Sequence, residues 1–164
     1  MDDKKLGFGM MRLPMTADGT KVDIPATCKV VDAFLERGFT YFDTAWMYCN
    51  FQSEDAVKEV LTKRYPRDAF TLTTKLHSGF INTPEDRDKI FNTQREKTGL
   101  EYFDFYWLHD INSHSIEIYN RLCCQLHYRM MWARDGLNIV YAYHFLMYIV
   151  FQVNYSLLIY ILQI

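Results

Sequence analysis

The sequence has no Cys-x-x-Cys pair, little net charge and no apolar run near its start, and each absence narrows what it encodes. Its four cysteines are Cys28, Cys49, Cys123 and Cys124. Cys123, Cys124 and His127 lie close together, but no second ligand pair accompanies them, so no metal site is expected. The thiols read as the reduced cysteines of a cytoplasmic protein. Met1-Asp2-Asp3-Lys4-Lys5 is charged and runs straight into Leu6-Gly7-Phe8-Gly9, which is not the pattern of a secretory leader. A formal charge of −2 gives no electrostatic basis for binding nucleic acid or an acidic membrane surface. Charge is also unevenly spread: residues 137–164 contain no Asp, Glu, Lys or Arg, and no Gly or Pro.

What is present is enough for a core. Hydrophobic residues make up 49% of the 164 and aromatic residues 16%, a composition that argues against disorder. Four short runs rich in aromatic and β-branched residues read as strands: residues 6–11, 39–43, 70–75 and 103–109. Their starts lie 33, 31 and 33 residues apart. Between them lie helical patterns with recognisable ends. The first follows Asp23 with Pro25 in its opening turn, places Cys28, Val31, Phe34 and Leu35 on one face, and stops at Gly38. The second is expected to start with Ser53 as N-cap, to bury Ala56, Val57, Val60 and Leu61, and to close on Lys63 and Arg64. The third begins at Thr83 with Pro84 at its first position and stops at Gly99. A fourth starts at Ser113 or Ser115 and continues past Leu122.

Strands alternating with helices of this length imply parallel pairing, each helix being the crossover. The class is therefore α/β. A unit of about 32 residues repeated eight times matches the roughly 250 residues of a (β/α)8 barrel, although periodicity alone leaves an open doubly wound sheet possible. The polar residues add to this. Strand two ends at Asp43, strand three at Lys75 and strand four at His109, with Tyr48 in the loop after strand two. In a barrel these positions meet at the C-terminal mouth, where such folds keep their active sites. Singly, each has a plain structural reading as a cap, a packing group or a solvated charge. Together they make a chemical set. A free phenol loses its proton near pH 10, and a neighbouring ammonium stabilises the phenolate form. A carboxylate can hold the lysine, and a histidine can orient a carbonyl. The result is a proton donor for a carbonyl oxygen on its way to an alkoxide.

The run Phe42-Asp43-Thr44-Ala45-Trp46-Met47-Tyr48-Cys49-Asn50 resembles the F-D-T-A-x-x-Y-x-N signature of aldo-keto reductases. Thr73-Thr74-Lys75 resembles the strand that carries their lysine. Tyr102-Phe103-Asp104-Phe105-Tyr106-Trp107-Leu108-His109 resembles their fourth strand, and Leu6-Gly7-Phe8-Gly9-Met10 their first. The resemblance covers roughly residues 5–122 and implies about the first four βα units of a partial (β/α)8 TIM barrel. It maps Asp43, Tyr48, Lys75 and His109 onto the family's catalytic four, with Tyr48 as general acid in the NADPH-dependent reduction of an aldehyde or ketone. Gly9 and Asp43 are the implied cofactor contacts within this stretch, the rest of the NADP(H) site being expected from strands five to eight. Trp46 and Cys49 are the implied substrate-pocket residues. Gly7-Phe8-Gly9 is only a G-x-G, which permits close backbone approach at the mouth rather than forming a dinucleotide fingerprint.

After Leu122 the family pattern stops. Residues 1–122 are expected to form the reductase-like unit, and residues 123–164 an unassigned apolar tail in which tyrosines recur at no helical period. A truncated or frame-shifted gene product would give such an abrupt change. The DNA after the Leu122 codon would then encode barrel sequence in another frame. A second expectation is a membrane anchor through residues 137–164, which exceed the roughly 20 residues needed to span a bilayer. Arg129 and Arg134 flank it, while His144, Gln152, Asn154, Ser156 and Gln163 interrupt it. A third is a non-catalytic half barrel that self-associates through unpaired sheet edges.

Overall fold

The computed structural model describes residues 6–123. They form one parallel sheet of four strands, β1 (Gly7–Gly9), β2 (Tyr41–Asp43), β3 (Thr71–His77) and β4 (Phe105–His109). The spatial order is β1-β2-β3-β4, so every new strand joins the same edge as the chain proceeds. A doubly wound sheet reverses that order at a switch point. The unbroken order answers the question left open by periodicity: this is the winding of a (β/α)8 barrel, with four strands of it in place.

Among the described residues four helices and one tight turn accompany the strands: α1 (Ile24–Glu36), the turn α2 (Tyr48–Phe51), whose interior is not helical, α3 (Ser53–Val57), α4 (Pro84–Thr98) and α5 (Ser115–Cys123). α1 starts as its sequence dictates, with the Asp23 carboxylate accepting from the Ala26 amide at 2.9 Å. α4 carries a full capping box. Asp86 N donates to Thr83 Oγ1 at 3.1 Å, and Thr83 N donates to Asp86 Oδ2 at 3.0 Å. It ends at Gly99, whose φ of 69° is the left-handed conformation that glycine adopts without a steric penalty.

β1, β2 and β4 are shorter than the expected runs at residues 6–11, 39–43 and 103–109, and two further elements depart from the sequence expectation. Ser53 does not cap α3; Gln52 occupies that position. The Ser53 hydroxyl is fully buried and donates instead to the Met10 carbonyl at 2.9 Å, with Thr44 Oγ1 2.8 Å away. A buried hydroxyl takes the partner its surroundings offer, and here that is the residue just after β1. The helix then widens into a π-type turn over Lys58–Thr62, closed by Lys63 N donating to Lys58 O at 3.0 Å. The second difference is in β3, which continues past Lys75 to His77 because β4 offers Leu108 and His109 as pairing partners there.

Side chains alternate across the sheet, as a pleated strand requires. Phe8, Phe42, Leu72, Leu76, Tyr106 and Leu108 pack into the two apolar clusters under the helices. Phe42 is fully buried, with Phe34 at 5.2 Å and Phe8 at 5.5 Å between ring centroids. The opposite face carries Asp43, Lys75, His77, Trp107 and His109, each only partly covered. Among the described residues no helix is long and apolar enough to cross a membrane. The expected anchor at residues 137–164, and Cys124 and His127 of the weak metal candidate, lie outside the described residues.

Candidate active site

The register of the sheet brings the expected residues together. Gly9 pairs with Asp43, Asp43 with Thr73, Lys75 with Trp107, and His77 with His109. Lys75 therefore sits on the strand between those carrying Asp43 and His109, on the same face. Its ammonium lies 2.5 Å from Asp43 Oδ1, 2.9 Å from the Thr44 carbonyl oxygen and 3.2 Å from Tyr48 Oη. An ammonium has three hydrogens and no acceptor, so all three are engaged. The Tyr48 oxygen accepts one of them, which leaves the phenol's own hydrogen free for another acceptor. The same ammonium stands 4.7 Å from the centroid of the Tyr48 ring.

Tyr48 reaches this position through an unusual piece of backbone. Tyr48 N donates to Ala45 O at 3.2 Å, turning the chain just beyond β2. The next three residues are all left-handed: Cys49 (φ 51°), Asn50 (φ 54°) and Phe51 (φ 65°). For residues with a Cβ this conformation costs on the order of 1–2 kcal/mol each. Contacts from several elements hold it. Cys49 Sγ lies 3.4 Å from Met11 O and 3.6 Å from Met10 O. Lys97 on α4 donates to the Phe51 carbonyl. Gln52 accepts from Val22 N at 3.1 Å and donates to Thr20 O at 2.9 Å. Cys49, an expected pocket residue, thus turns its thiol to the main chain after β1. Trp46, the other, stands at the mouth with Phe51 at 6.1 Å and the Lys97 ammonium 5.3 Å from its ring centroid.

His109 ends β4 and packs edge-on against Tyr48, ring centroids 5.6 Å apart. Its pKa is pushed down to about 4, first by burial, then by the Lys75 charge and by His77. The imidazole is therefore neutral at ordinary pH. Its Nδ1 is buried without a hydrogen-bond partner among the described residues. Trp107 Nε1, two residues earlier on the same face, is buried and unpaired in the same way.

Residues 5–126 match the aldo/keto reductase family. The chain belongs to this family. Among its relatives, human aflatoxin B1 aldehyde reductase member 4 is 29% identical over 124 residues. Human aldo-keto reductase family 7 member A3 is 30% identical over 125 residues. Each alignment takes in 73% of this chain but 38% of the relative, so the chain spans well under half the length of these proteins. Among solved structures, an aldo-keto reductase from Klebsiella pneumoniae in complex with NADPH superposes with a TM-score of 0.52 at 20% identity, covering 73% of this chain and 41% of its own. One from Brucella melitensis gives 0.51 at 25% identity, with 73% and 43% covered. These overlaps fit an α/β chain holding part of a reductase barrel.

One residue of this site belongs to none of the sequence motifs. His77 stands beside His109, ring centroids 5.4 Å apart, and contacts Phe80 at the same distance. Its Nδ1 accepts from Gly79 N at 3.0 Å, so in the neutral ring the proton sits on Nε2. The signal was available: a strand's period of two puts residue 77 on the same face as Lys75 once the strand is extended.

Proposed function

We propose that this site serves the NADPH-dependent reduction of a small aldehyde or ketone, with Tyr48 as the general acid. The observation that carries the reading is the Lys75 ammonium, 3.2 Å from Tyr48 Oη while tied to Asp43 at 2.5 Å. As Tyr48 gives its proton to the carbonyl oxygen, the phenolate left behind faces a fixed positive charge that needs no rearrangement. Asp43 and the Thr44 carbonyl keep that charge in place. His109, neutral at ordinary pH, serves as a hydrogen-bonding group that orients the carbonyl rather than as an acid.

The cofactor side of the site has room. A Cβ built on Gly9 meets nothing within 4 Å, so the mouth above β1 is open beside Asp43. A nicotinamide ring would meet no obstruction there, and Gly9 and Asp43 are the residues that would hold it. When bound, NADPH supplies a hydride to the carbonyl carbon. Trp46 supplies apolar surface at the mouth for a substrate. The reductase-like unit is assigned to residues 1–122.

The test has two parts. Fluorescence titration with NADPH measures binding directly. Absorbance then follows NADPH oxidation with small aldehydes in the full chain and in Tyr48→Phe. The expected result is a loss of about 100-fold or more in the variant, the scale of a missing general acid. Equal turnover in Tyr48→Phe refutes the assignment. Binding without turnover in either protein favours a non-catalytic, cofactor-binding chain.

A further inference from the structure

We infer that Tyr119 on α5 is a positioning residue for His109. The Tyr119 side chain is 1% exposed and its hydroxyl sits at the C-terminal ends of β3 and β4. It lies 2.5 Å from the His109 carbonyl oxygen and 2.9 Å from the Leu76 carbonyl oxygen, and it accepts from Ser78 N at 2.8 Å. One phenol thus binds the last residue of β4, a residue near the end of β3 and the first residue after β3. These are the points where the sheet stops and its own ladder can no longer fix the chain.

The position matters because both site histidines hang from these ends. His77 and His109 are the final pair of the β3–β4 register, and their rings touch at 5.4 Å. The next residue after His109, Asp110, has φ of 53°, so the backbone leaves the strand sharply there. The hydroxyl has a single proton to share between two carbonyls and two lone pairs, one of which takes the Ser78 amide. Removing it takes a partner from the buried Ser78 amide, the buried Leu76 carbonyl and the partly buried His109 carbonyl, where His109 projects. The network behind β3 has a different role. There Tyr106 donates to Gln94 Oε1 at 2.6 Å, and Gln94 donates to Glu54 Oε1 at 2.7 Å and Lys75 O at 3.1 Å. That network secures the middle of the sheet, whereas Tyr119 secures its mouth.

The inference rests on His109 being the carbonyl-orienting group, but its test needs no turnover, so the two can fail separately. The imidazole C–H signals of the full chain are followed by NMR as pH changes, with the His109 signal assigned by its loss in His109→Gln. In Tyr119→Phe the His109 titration is expected to move up from about 4 toward the ordinary imidazole range. A shift of about one pH unit corresponds to a tenfold change in its protonation equilibrium. Tyr106→Phe also removes a buried hydroxyl and is expected to leave the His109 titration in place. An unmoved titration in Tyr119→Phe, or an equal movement in Tyr106→Phe, overturns the inference. Should Tyr119→Phe fail to fold, amide exchange in the unaltered protein decides. The Ser78 amide is then expected to exchange slowly, and exchange at the rate of an open loop overturns the inference.

Discussion

The Asp43 carboxylate holds the Lys75 ammonium at 2.5 Å across the β2–β3 pair, from positions 32 residues apart in sequence. The lysine side chain is 12% exposed and the aspartate 25%. Removing either partner strands the other charge in a half-dry site. Asp43→Ala and Lys75→Met are each expected to lower stability by about 2 kcal/mol, and the double variant by less than the sum. Urea unfolding of the three variants measures this, and strict additivity would show that the pair is not coupled.

Acid should destabilise the fold through His109. Its folded pKa is about 4, while an unfolded histidine titrates near 6.5. Between those values the unfolded chain takes up a proton that the folded chain refuses. The contribution is complete above about pH 6.5 and is lost as pH falls through 4. Thermal melts across this window should show a decline on acidification that is smaller in His109→Gln. Equal slopes in the two proteins would contradict the burial of this ring.

Glu54 should act with the opposite sign. It is fully buried, its Oε1 accepts from Thr74 Oγ1 and Gln94 Nε2 at 2.7 Å each, and its Oε2 has no partner among the described residues. Burial raises its pKa, outweighing the hydrogen bonds that lower it. The folded protein therefore keeps this proton at a pH where the unfolded chain has released it. Stability from this group is present below the ordinary carboxylate value and is lost as pH rises above it. Glu54→Gln cannot titrate, so its melting temperature relative to the unaltered protein should improve as pH increases from 4 to 8. A constant difference across that range would refute this.

The left-handed turn gives a prediction of shape rather than charge. Cys49 has φ 51° and ψ 46°, which a β-branched side chain tolerates poorly. Cys49→Val is expected to cost about 1–2 kcal/mol, whereas Cys49→Gly, free of the Cβ penalty, should come within about 0.5 kcal/mol of the starting protein. Denaturant midpoints of the two variants test this. Equal midpoints would mean that the turn is not held in this conformation.

Much of the framework was legible because it is local. Asp23, Thr83-Pro84 and Gly99 act on their immediate neighbours, the first two starting helices and the last ending one where the sequence says they should. Asp43, Lys75 and His109 could be grouped because strand ends in a parallel α/β fold converge on one side. Other features depend on partners distant in sequence. Ser53 has the form of an N-cap, yet the Met10 carbonyl, 43 residues away, takes its hydrogen. β3 outlasts its run of strand-forming residues because β4 is there to pair with it, and His77 enters the site for that reason alone. Tyr119 looks like any apolar residue on a helix face until α5 docks.

The turn after Tyr48 also bears on how the site comes into being. Its supports come from the segment after β1, from the Thr20–Val22 stretch and from Lys97 near the end of α4. No short stretch of chain around Tyr48 contains them. The place of the phenol against Lys75 therefore depends on segments from Met10 to Lys97 being docked together. A partly folded chain keeps its tyrosine and lysine, but not as a pair.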